Sequence, residues 1–211
     1  MAGLATLLAI LFALHISSAD EHPLTVSTGP CSDVANVDWT ESINAYLRRI
    51  PNNITLPSIF ASNEIGGGFE VGRSTLYGLG NLRPYKHYHS YCINKETVIE
   101  VIAFVYGNLA AQMEWKSCTG STGHIGTEVS SSKLTLVFKA VPTADDPTRV
   151  ALFRIYGDRL EAPRLYVTGV PEGLTTMIRV VSDLFMPHIK EFWRVLLRLS
   201  TPYLYRELLS Q

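Results

Sequence analysis

From Pro171 to Leu209 the apolar residues step by three or four: Leu174, Ile178, Val181, Phe185, Ile189, Phe192, Leu196, Leu199 and Tyr203. That period belongs to an amphipathic helix. Pro171 suits a first helical turn, where its missing N–H costs nothing. Pro187 predicts a kink, and Pro202 a kink or a break. Run continuously, about forty residues make a helix about 60 Å long, beyond the usual length in a compact domain. Such a helix needs an elongated surface against which to bury its stripe.

The residues before it supply candidates for that surface. Between Gly66 and Thr168 alternation replaces the helical period, punctuated by turn residues. Six or seven antiparallel strands are expected, starting near Phe69, Tyr85, Thr97, Leu109, Leu134, Arg149 and Arg159. Tyr106-Gly107-Asn108-Leu109 and Tyr156-Gly157-Asp158-Arg159 each read as a two-residue hairpin turn. The first hairpin would set Tyr106 opposite Leu109, Phe104 opposite Ala111 and Ile102 opposite Met113, with Trp115 on the same face. The second would put Phe153 and Ile155 on one face with Leu160, and Arg154 opposite Glu161 on the reverse. Pro163 cannot donate to a ladder, which points to a sheet edge. Ser32 to Ile50 reads as a short helix closed by Pro51, with Asp38 and Glu41 spaced as in a capping box. Asn52 to Asn63 reads as a loop, and Gly66-Gly67-Gly68 as a flexible start to the first strand.

Leu4 to Ile16 is an apolar run too short to span a bilayer, followed by Ser17-Ser18-Ala19 and then Asp20-Glu21. That is the layout of a cleaved signal peptide over residues 1–19, leaving one domain over 20–211 and a secreted, extracellular protein that spans no membrane. Cys31, Cys92 and Cys118 allow three pairings in an oxidising compartment, with one thiol left buried or bonded to another chain. Asn53-Ile54-Thr55 is a glycosylation sequon, with Asn53 the acceptor. The formal net charge is −1, and no basic run carries interleaved aromatics, which argues against nucleic acid as a partner.

No catalytic pattern emerges. There is no Gly-x-Ser-x-Gly and no Gly-Lys-Ser or Gly-Lys-Thr, and Gly120-Ser121-Thr122-Gly123 reads as a loop. His87 and His89 would share a strand face, with His124 as a third imaginable metal ligand, but no ligand helix or carboxylate partner accompanies them. The hairpin register sets Glu100 and Glu114 on opposite faces, so they make no catalytic pair. No cofactor, metal or enzymatic activity is expected.

A short N-terminal helix, a long antiparallel sheet and a long C-terminal helix are together similar to the tubular lipid-binding domains. Within them the chain most resembles the group 7 mite allergens and related secreted arthropod proteins, from about Gly68 to the end. The likeness lies in Gly78-Leu79 with Leu82, the apolar stretch from Val98 to Trp115, and the closing Pro202-Tyr203-Leu204-Tyr205-Arg206-Glu207-Leu208. The N-terminal helix is shorter than in the mite proteins, and the three cysteines are not part of that pattern. The resemblance implies an α+β domain in which an elongated, curved antiparallel sheet wraps a long kinked C-terminal helix. It also implies a binder or carrier of lipid or other apolar small molecules in a groove between sheet and helix. The groove walls would be Ile102, Phe104, Leu109, Met113 and Trp115, extended by Phe153, Ile155 and Leu160. Val181, Phe185, Ile189, Phe192 and Leu196 would face them. The rivals are a lipocalin-type carrier, which the long final helix disfavours, and a modulator acting on a host or pathogen protein through its surface.

Overall fold

The computed structural model describes residues 25–56, 69–184 and 186–209, except the side chains of Phe69, Leu174 and residues 205–209. The expected signal peptide, the Gly66-Gly67-Gly68 run and Phe185 lie outside the described residues. In chain order come β1 (Val26–Thr28), a 3-10 turn (Ser32–Val34), α1 (Thr40–Arg49), β2 (Asn53–Leu56), β3 (Phe69–Tyr77) and a second 3-10 turn (Leu79–Asn81). Then follow β4 (Leu82–Pro84), β5 (His89–Ile93), β6 (Glu96–Val105), β7 (Leu109–Ser117), β8 (Thr122–Val129) and β9 (Ser131–Ala140). The last elements are β10 (Val150–Glu161), β11 (Arg164–Val167), α2 (Glu172–Leu184) and α3 (Met186–Leu209).

The class is α+β, with two antiparallel sheets. The first runs β1-β5-β6-β9-β10, with β4 also on β6; the second runs β11-β8-β7-β3-β2. Both hairpins read from the sequence are therefore corrected. Gly107 does sit at a φ of 103°, but the chain there passes from one sheet to the other, and β6 pairs with β4, β5 and β9 while β7 pairs with β3 and β8. Tyr156 to Arg159 lies within the single strand β10, where a register shift between Gly157 and Arg159 marks an irregularity instead of a turn. Arg154 accordingly pairs in register with Val137 and donates to the Tyr156 hydroxyl at 3.0 Å, while Glu161 takes Arg159 at 2.8 Å. Both β10 and β11 are edge strands, in keeping with Pro163 between them.

Besides the long connection from β1 to β2 through α1, four short passages join the sheets: Gly78–Asn81, Tyr106–Asn108, Ser130 and Ala162–Pro163. The strand order is the same on either side of these passages. β4 beside β6 continues β3 beside β7, β6 beside β9 continues β7 beside β8, and β9 beside β10 continues β8 beside β11.

Strict alternation sets what β6 and β9 bury. β6 turns Ile99, Val101, Ala103 and Val105 inward and leaves Ile102 and Phe104 half-buried on the other face. β9 buries Leu134, Leu136 and Phe138. These side chains form one core with Leu109 and Ala111 of β7, Ile54 and Leu56 of β2, Ile43 and Leu47 of α1, and Ile189, Trp193, Leu196, Leu197 and Leu204 of α3. The helix α3 packs against β10, β2 and β11, and α2 lies on β11.

The N-terminal helix is shorter than expected. Its start is fixed by Asp38, whose Oδ1 accepts from the Thr40 N–H at 3.0 Å and the Thr40 hydroxyl at 2.7 Å. Glu41 makes no capping box and instead meets Arg48 at 3.9 Å on the surface. Asn53 to Leu56, expected as loop, is strand β2 against β3. Pro187 falls in the first turn of α3, where helices tolerate it. Pro202 does not end α3, which runs on to Leu209. Cys31 and Cys92 form a disulfide across a sequence separation of 61, and Cys118, the leftover thiol, is exposed rather than buried.

Candidate functional site

The inner face of the second sheet is not fully covered by the helices. Leu56, Ser74, Ala111, Met113, Ile125, Thr127 and Leu165 line one side of a groove, with Gln112 and Gly126 between them. Val181 of α2 and His188, Ile189, Phe192 and Leu196 of α3 line the other. The volume is about 590 Å³, within the roughly 300–1,000 Å³ range of small-molecule sites. Ile125, Val181 and Phe192 remain 44%, 39% and 42% exposed. In a packed core such side chains would be close to fully buried.

The polar groups around the groove are largely committed elsewhere. The Trp193 indole N–H donates to the Thr127 hydroxyl at 3.1 Å, a buried bond that ties α3 to β8. The Leu165 N–H donates to Ser182 Oγ at 2.8 Å and docks α2 on β11. On the reverse face of the sheet Gln112 donates to Tyr77 at 3.2 Å and accepts from the Tyr166 hydroxyl at 3.0 Å. Burial first, and then the nearby Glu128 charge, push the Tyr166 phenol above its ordinary value, so it remains a donor. Gly126 is what permits this bond: a Cβ there would stand 2.8 Å from the Tyr166 hydroxyl and 2.5 Å from the Ala111 carbonyl oxygen. The groove thus offers apolar surface and few free polar groups.

Of the residues expected to line a groove, Met113, Val181, Ile189, Phe192 and Leu196 come together in it. Phe185 lies outside the described residues. Leu109, Ile155 and Leu160 are buried core, with Leu160 and Leu197 both against Gly157. Trp115 is half-buried beyond Met113, against Gly123. Ile102, Phe104 and Phe153 are on the outer face of the first sheet, where Phe104 meets the Tyr85 ring edge-on at 5.0 Å and Lys139 Nζ stands 4.8 Å from the Phe153 ring. Their assignment to the groove wall followed from the two hairpins and falls with them. The sequence reading missed Leu56, Ile125 and Leu165. Leu56 alternates with Ile54, a signal obscured by a loop assignment, while Gly123 and Gly126 concealed the strand carrying Ile125.

Two other concavities are poorer media for an apolar ligand. One, of about 590 Å³, lies between α1 and Tyr85–His89 and is lined by Lys86, His87 and His89; the other, of about 970 Å³, is lined by Arg49, Asp145, Asp146 and Arg149. His87 and His89 are exposed, and among the described residues no group of three His, Cys, Asp or Glu side chains could hold a metal. Asn53 is exposed at the start of the edge strand β2.

Comparison with protein-family models and with curated proteins returns no match.

Proposed function

We propose that the protein is a secreted carrier of lipid or other apolar small molecules, held between the inner face of the second sheet and helices α2 and α3. One observation carries this reading: Ile125, Val181 and Phe192 face a common groove from three elements and are each left about two-fifths exposed. Each ligand methylene that leaves water there would contribute about 0.8 kcal/mol. The scarcity of free polar groups favours ligands whose headgroup stays in solvent.

The tubular lipid-binding resemblance supports the same reading. The unbroken strand order across the four passages fits one sheet bent over the C-terminal helix, and Pro187 fits a kink between α2 and α3. The disulfide and the exposed Asn53 sequon suit a signal peptide over residues 1–19 and an extracellular, glycosylated product.

The test is native mass spectrometry of protein secreted from eukaryotic cells, followed by organic extraction. Near-stoichiometric lipid or isoprenoid is the expected result and would name the ligand class. Protein that is empty, and stays empty when offered fatty acids, phospholipids and sterols, would refute the carrier reading and direct attention to a protein partner.

A further inference from the structure

We infer that His188 selects the ligand's head: the groove takes an apolar molecule ending in a single anion, such as a free fatty acid, and holds it more tightly while His188 is protonated. The inference rests on the groove being a lipid site, and deepens it by naming the class of lipid.

Apolar burial is non-directional, so the groove's aliphatic and aromatic residues cannot tell one head from another. Discrimination has to come from a polar liner. Thr127 already accepts from the Trp193 indole, and Gln112 uses its amide on Tyr77 and Tyr166 across the sheet. Ser74 is buried and, like them, carries no charge. His188 differs on both counts. It is exposed, and among the described residues it is the only ionisable group lining the groove. It stands one turn before Phe192 on α3, so the two share a side of the helix, and Phe192 is 42% exposed. A tail lying along Phe192 would bring its head to His188 while that head is still in solvent. A protonated imidazole then presents N–H donors and a positive charge to it, which makes the hydrogen bond a charge-assisted one. One cation matches a singly charged head, of which a carboxylate is the simplest.

The surrounding charges do not cancel this one. Every described groove residue of β2, β3, β7, β8 and β11 is uncharged, and α2 contributes only Val181. Along the helices the charged neighbours are Asp183, Lys190 and Glu191. Asp183 is two residues past Val181, and Lys190 two past His188, so the helical period turns both away from the groove. Glu191 does share the side of His188, but it holds Arg194 at 3.0 Å. Because His188 is exposed, its pair with a ligand anion is partly screened by solvent, and the expected gain is modest, about two- to fivefold in affinity.

The experiment is displacement of a neutral apolar fluorophore from the secreted protein by dodecanoate and by dodecanol at low salt. It is run at about pH 6 and about pH 8, toward the two ends of the range in which imidazoles change charge and above the ordinary carboxyl range. At the lower pH the parent should bind dodecanoate about two- to fivefold more tightly than His188→Gln. The gap should close at the higher pH and shrink as salt rises. His188→Lys, charged at both, should keep it open. Ionisation of the ligand is common to all three proteins and drops out of the comparison. Dodecanol should bind the three alike at either pH, which also shows that the variants fold. A loss in His188→Gln that is equal for acid and alcohol, a loss equal at the two pH values, or no loss at all would each overturn the inference and leave the carrier reading standing. A parent that takes up neither the fluorophore nor either ligand would refute the carrier reading, and the inference with it.

Discussion

Phe192 and Trp193 are adjacent in sequence and differently placed. Trp193 is fully buried and donates to Thr127, whereas Phe192 lines the groove and is two-fifths exposed. Trp193→Ala should cost about 3–5 kcal/mol of stability, while Phe192→Ala should cost about 1 kcal/mol or less. In a fatty-acid titration the ranking reverses its meaning: Phe192→Ala should weaken binding about tenfold, equivalent to about 1.4 kcal/mol. Urea denaturation and probe titration of the two variants check both halves. Asp38 gives a pH signature. Hydrogen bonds from the Thr40 hydroxyl and then its backbone N–H hold this carboxyl below its ordinary value, with Tyr88 and His87 assisting. A carboxylate with a depressed folded pKa stabilises above its unfolded value, near 3.9, and the contribution is lost as pH falls through the folded one. Asp38→Asn should therefore flatten the loss of stability with acid below about pH 4, read as urea midpoints across that range. At the cysteines, native protein should take up one alkyl group, at Cys118. Reducing Cys31–Cys92, with its separation of 61, should remove about 4 kcal/mol on the chain-entropy account.

At the scale of elements, Gly126 shows why some strands were hard to read. β8 brings its backbone against β7 and under the Tyr166 hydroxyl, so two of its eight residues are glycine and these break up the run of strand formers Thr122, Ile125, Thr127 and Val129. Gly126→Ala should cost about 1–3 kcal/mol through overpacking, measured by thermal or urea unfolding. The C-terminal helices were legible because their period is carried by side chains whose burial depends on it. Val181, Ile189, Phe192 and Leu196, which the sequence put on one helical face, line one groove for that reason, and Met113 joins them through the alternation of β7. β6 was misread because large apolar side chains stand on both of its faces: Ile99, Val101, Ala103 and Val105 alternate with Val98, Glu100, Ile102 and Phe104. The larger apolar side chains were put inside against the charge of Glu100, which marks the outer face, and the smaller ones proved to be inside. A Gly-Asn turn cannot by itself tell a hairpin from a passage between sheets, since both need the same positive φ at Gly107.

Across the whole molecule, the two sheets, α1 and α3 share one core, whereas α2 is held mainly on β11, with Leu165 and Ser182 joined by a hydrogen bond. Bound ligand should therefore raise the hydrogen-exchange protection of α2 more than that of β6 or β9. The passage at Ser130 has a different consequence, for which lengths of chain this protein could acquire. β8 buries odd-numbered residues, Thr127 and Val129, and β9 buries even-numbered ones, Ser132, Leu134, Leu136 and Phe138. The change of parity is made within Ser130 and Ser131. One inserted residue there would turn Leu134, Leu136 and Phe138 to solvent, or else drag β8 out of step with β7. The exposed residues 141–147, between β9 and β10, are under no such arithmetic. Surviving insertions and deletions should collect in that loop and shun the serine pair.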